Sequence, residues 1–113
     1  MTDIDLSIQR DEYIRELRAI ESRLGPVEVI GFIQIQTPEN RAKFFDLKSE
    51  IAVRRSRLEI ARLDTIALRL KQLESNFKQG ITNLEDTIDS LNKISEVLST
   101  IDLLVGVLSR IFV

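Results

Sequence analysis

Apolar residues recur with a seven-residue period through most of the second half of the chain. With position a on Leu63, Leu70, Phe77, Leu84, Leu91, Leu98, Val105 and Phe112, position d falls on Ile66, Leu73, Gly80, Thr87, Ile94, Ile101 and Leu108. Only Gly80 and Thr87 interrupt the two apolar series. A 3.5-residue spacing held this long predicts a helical seam with coiled-coil-like packing, in which side chains of one helix seat between those of another.

The repeat crosses Gly80 without losing phase, as one continuous helix would require. Two local signals oppose that. Gly80 suits the residue just past a helix end, and Thr82-x-x-Glu85 has the form of a capping box. The expectation is a tight turn at Gly80, joining helices over about 38–79 and 82–112 into a long antiparallel hairpin that buries the seam within one molecule.

Thr37-Pro38-Glu39 opens the first of these helices with a capping oxygen, a proline suited to the first turn and an acid at the positive dipole end. Unbroken from 38 to 79, it would be about 60 Å long. It carries a second apolar stripe, Phe44, Leu47, Ile51, Leu58, Ala61, Thr65 and Leu68, so it is expected to meet two neighbours. Upstream, Leu6, Tyr13, Leu17, Ile20 and Leu24 mark an amphipathic helix over about 3–24, capped by Thr2 or Asp3 and ended by Gly25-Pro26.

Residues 27–36 are rich in β-branched side chains and lie between Pro26 and Pro38. They predict an extended segment or β-strand, or else a connector lying on the bundle. Val27, Val29, Gly31, Ile33 and Ile35 would share one face, with Ile30 and Phe32 on the other. A strand cannot satisfy its own backbone groups, and the chain offers no second strand. The expectation is therefore pairing with the same segment of a second copy across a two-fold axis. The C-terminal stretch 101–113 is apolar nearly all round, which predicts burial of Leu104, Leu108, Ile111 and Phe112 by protein, in the same chain or across an oligomer contact.

Composition narrows the chemistry. The 113 residues predict a single, mainly α-helical domain spanning 1–113. There is no Cys and no His, which removes disulfides, thiolate sites and the commonest general base and metal ligand. No phosphate-binding glycine loop or nucleophile elbow is present. Pairs of acids such as Glu85 with Asp89 and Glu12 with Glu16 read as solvated helix faces. The sequence therefore predicts no enzyme, no cofactor and no metal.

Net charge is −2, but its distribution is uneven: residues 39–78 hold ten Lys/Arg against six Asp/Glu, and residues 79–113 two against five. Antiparallel pairing of the two helices would set opposite signs side by side. Arg54, Arg55, Arg57 and Arg62 form the best basic patch, though it is diluted by acids and lacks aromatics for stacking bases. No spanning helix and no signal-peptide pattern is evident, so a cytoplasmic location is expected.

These readings favour a non-catalytic helical scaffold or protein–protein interaction module that self-associates, as a homodimer or larger even assembly, and also meets another helical protein. A membrane-associating or pore-forming component using the C-terminal helix is the alternative. Nucleic-acid binding through the arginine-rich helix is the third reading.

Overall fold

Five helices account for nearly all of the chain in the computed structural model, which describes the backbone of residues 3–112 and the side chains of residues 6–112. They are α1 (Asp3–Arg23), α2 (Val27–Gln34), α3 (Pro38–Ile60), α4 (Leu63–Ser90) and α5 (Ile94–Ile111). The capping side chain of α1, whether Thr2 or Asp3, lies outside the described residues, as does Val113 at the end of the apolar tail.

The four long helices surround one core. α1 packs on α3 and α4, and α5 packs on the same two, so α3 and α4 occupy opposite corners. Cross-helix contacts give their senses. Arg18 pairs with Glu59 and Arg55 with Glu21, so α1 and α3 run oppositely. Gln9 reaches Glu74 while Arg23 reaches Glu85 and Asp89, so α1 and α4 run the same way. α5 returns along α4: Ile111 and Phe112 line a cleft with Thr65, Ile66 and Arg69, and Ser95, Glu96, Ser99 and Thr100 line another with Asn83, Asp86 and Thr87.

The seven-residue repeat marks the core face correctly. Leu70, Phe77, Leu84, Leu98 and Val105 of the a series are buried, as are Ile66, Leu73, Ile101 and Leu108 of the d series. Each such side chain contributes about 1.5–3 kcal/mol of apolar burial, which outweighs the local turn signals.

The turn expected at Gly80 is absent. α4 runs through Gly80, and no glycine among the described residues has positive φ. The glycine serves packing instead: a Cβ there would sit 3.3 Å from Leu104 Cδ1 and 3.8 Å from Leu104 Cα. The missing side chain lets α5 approach α4 closely, while the helix keeps its own hydrogen bonds. The reversal falls eleven residues later, at Leu91, which adopts a left-handed conformation (φ 46°, ψ 42°) and donates its N–H to the Thr87 carbonyl at 2.9 Å. A non-glycine residue pays a steric cost in that region. Packing of the half-buried Leu91 side chain against the core holds it there.

The helix expected over 38–79 is also interrupted. Ala61 and Arg62 are extended, and α4 begins at Leu63 in a new direction. No glycine or proline signals this break. Its support is tertiary: Arg10 of α1 donates through Nη1 to the Ala61 carbonyl at 2.9 Å, satisfying an acceptor that the helix end leaves open. The second apolar stripe accordingly splits. Phe44, Leu47, Ile51 and Leu58 are buried, whereas Thr65 and Leu68 face solvent.

The largest correction concerns residues 27–36, which are helix and not strand over Val27–Gln34. A lone strand would leave its backbone groups unpaired, and a helix satisfies them internally. Val29 and Ile33, four apart, then both point into the core at 3% and 0% exposure. Glu28 lies in the positively poled first turn, and Arg41 donates to the carbonyls of Gln34 (3.2 Å) and Gln36 (2.8 Å), closing the far end. Burial and backbone satisfaction together override the β-propensity of the segment.

One polar contact locks α1 onto α4. Tyr13 is buried, stacks on Phe77, and donates its hydroxyl to the Leu70 carbonyl at 2.5 Å. Burial, reinforced by the negative charge of Glu74, holds the phenol well above its ordinary value of 10.0. Because the folded-state pKa is raised, the neutral phenol's contribution to stability is complete below about pH 10 and is lost as pH rises above it. Tyr13 is the only tyrosine in the chain, so tyrosinate absorbance reads this group alone. Its titration should run above that of free tyrosine and coincide with unfolding. Tyr13→Phe should lower stability by about 1 kcal/mol near neutral pH and weaken the alkaline dependence. A normal titration in the folded protein would contradict the buried bond.

Candidate interaction surface

The residues that sequence reading assigned to an interface separate into two groups. Leu104, Leu108 and Ile111 are fully buried within their own chain, at 0–1% exposure, and Phe112 is half-buried beside them. Val29 and Ile33 are core, while Ile30 and Phe32 pack against it. Only Val27 and Ile35, at the two ends of α2, remain open, at 84% and 80% exposure. Strand pairing through 27–35 is thus removed with the strand itself. Among the described residues no helix is long and apolar enough to cross a membrane.

The basic run is largely engaged with the protein's own groups. Arg55 binds both Glu21 (2.5 Å) and Glu59 (2.6 Å), and these bonds raise its pKa further. Glu59 in turn is held below the usual carboxylate range, chiefly by Arg55 and then by Arg18. Arg54 binds Glu50 and donates through Nε to the Ser109 hydroxyl at 2.8 Å, tying α3 to α5. Arg57 lies over the Phe112 ring at 4.5 Å, and exposed Arg62 pairs with Asp64 at 3.0 Å. Arg54, Arg55 and Arg57 therefore tie α3 to its neighbours, Arg62 makes only a local exposed pair, and the four do not gather into one cationic face.

A groove of about 290 Å³ lies between α1 and α4, above Tyr13, Phe77 and Ile81. Its rim is acidic, with Glu12, Glu16, Glu74 and Glu85. Those charges are partly answered from within. Lys78 binds Glu74 at 2.8 Å, raising its own pKa and lowering that of the acid, and Arg23 reaches Glu85 at 3.5 Å. Among the described residues no cluster of three or more acids is arranged to hold a metal ion.

What the structure does leave open is the outer side of α3. Ala42, Phe45, Ser49, Val53, Ser56 and Ile60 recur every three or four residues and all face solvent, with Ala52 half-buried beside them. Phe45, Val53 and Ile60 are 43%, 52% and 85% exposed. At about 100° per residue these positions fall on one uncharged stripe about 100° wide and about 27 Å long. Charges stand only at its edges, including Asp46 and Arg57. The spacing is visible in the sequence, but it becomes informative only once α1 and α5 are known to cover the other two sides of the helix.

No family model matches this chain, and no curated protein or solved structure matches it.

Proposed function

We propose that the protein is a non-catalytic helical scaffold that works by self-association, with its α4–α5 hairpin packed knobs-into-holes as the rigid body and the outer face of α3 as the docking surface. The observation that carries this reading is the uncharged stripe on α3. Single exposed apolar residues are ordinary on protein surfaces, whereas an aligned series without a charge is the signature of a helix that meets another helix. Most apolar side chains of α5 that suggested a membrane role, Ile101, Leu104, Val105, Leu108 and Ile111, are buried within the chain, and among the described residues of that stretch Leu103 alone is largely exposed, which favours protein over lipid as the partner.

Light scattering over a wide concentration range, together with liposome flotation, tests this reading. The mass should rise above 13.0 kDa with concentration, and the protein should stay below the vesicles. A constant mass of 13.0 kDa with flotation of the protein would contradict the proposal and support membrane association.

A further inference from the structure

The exposed positions of α3 alternate in size along the helix: Ala42, Phe45, Ser49, Val53, Ser56, Ile60 read small, large, small, large, small, large. The series is also placed almost evenly about Ile51, which points inward and is fully buried. Ala42 and Ile60 lie nine positions to either side of it and Ser49 and Val53 two, while Phe45 and Ser56 lie six and five. Turned end for end, the same helix presents large where it had small. Resting on the proposed self-association, we infer that a second copy of this chain packs its α3 antiparallel on this one, across a two-fold axis that passes opposite Ile51.

Three features support the partner and the direction. Antiparallel pairing sets Phe45 against the partner's Ser56, Val53 against the partner's Ser49 and Ile60 against the partner's Ala42, which fills each layer without overlap. Parallel pairing would set Phe45 on Phe45 and leave Ser49 and Ser56 facing themselves. The charges at the edge agree: Asp46, which has no ion pair among the described residues, comes level with the partner's Arg57, and the two-fold makes that contact twice. A stripe one helix wide covers less than the standard interface of about 800 Å² per partner, so the expected association is reversible and in the micromolar range.

The chain has no cysteine, so engineered disulfides report the geometry without background. A disulfide requires Cα atoms within about 7 Å. Ala52 lies one residue from the axis and meets its own counterpart at about that distance when the helices are 8–10 Å apart. The two copies of Ala42 would be about 27 Å apart along the axis. Under mild oxidation Ala52→Cys should become a covalent dimer and Ala42→Cys should not, and adding Phe45→Glu should abolish the Ala52→Cys disulfide. Disulfides in both single variants would mean parallel pairing and overturn the inference. A disulfide that survives Phe45→Glu would report random collision and overturn it as well. If neither variant cross-links while the wild-type mass doubles, the chain self-associates through another surface and only this geometry fails. If neither cross-links and the mass stays monomeric, the proposed self-association fails with it.

Discussion

Replacing Phe77 with alanine should destabilise the protein by about 3–5 kcal/mol, read as a lower denaturation midpoint at similar slope. The Phe77 ring is 2% exposed and stacks on Tyr13 with centroids 4.1 Å apart and planes 14° from parallel. Tyr13 cannot slide into the vacated space without breaking its bond to the Leu70 carbonyl, so the cavity should persist. The stacked pair adds to the loss, since such pairs are worth about 0.5–1.5 kcal/mol beyond their area. Phe77→Leu retains most of the volume and should cost less. A loss under about 1 kcal/mol in Phe77→Ala would mean that α1 does not pack on α4 here.

The second large effect tests the close approach of α4 and α5. Leu104 is fully buried against Gly80, and Leu104→Ala should cost about 2–5 kcal/mol. Gly80→Val alone should cost about 1–3 kcal/mol, because its methyls would press on the Leu104 side chain and on the α5 backbone behind it. In the double variant the valine occupies space that the leucine vacates. Its loss should fall short of the sum by more than about 0.5 kcal/mol. Gly80→Ala should be close to neutral, a gain of about 1 kcal/mol in helix propensity offset by the tight contact. Strict additivity would place the two residues apart. A large loss in Gly80→Ala would mean that Leu104 cannot shift to admit even one methyl group.

These two sites also show how far the sequence could be read. The seven-residue repeat runs through Gly80 because the helix does, and it found the core side of α4 and α5, although Ile81, Ile88, Val97, Leu104 and Ile111 are buried outside its two series. The error lay in reading a glycine as a turn when its role was to admit Leu104, a contact 24 residues away in the chain. The true reversal uses Leu91, whose left-handed backbone is unfavourable locally and is paid back by burial that no window around it reveals. The break at Ala61–Arg62 is similar, since its acceptor is satisfied from Arg10. Residues 27–34 show the converse. Val29 and Ile33 fit a helix period as well as a strand period, and only the absence of a second strand could have decided between them. The α3 surface was hidden for a related reason: its stripe is interleaved with the buried one, and which side is covered depends on where α1 and α5 come to rest.

Sedimentation equilibrium of the wild type beside Phe45→Glu tests the central claim most directly. Phe45 is 43% exposed and its ring meets the buried Phe44 edge-on, so the glutamate should cost about 1 kcal/mol or less of stability and leave the fold intact. Placed in the middle of an apolar contact, the same charge should prevent docking. The account predicts a wild-type mass that climbs toward a dimer of the 13.0 kDa chain across the micromolar range, and a variant that stays monomeric. A wild type that remains at 13.0 kDa at the highest concentration, or a variant that associates equally well, would contradict it.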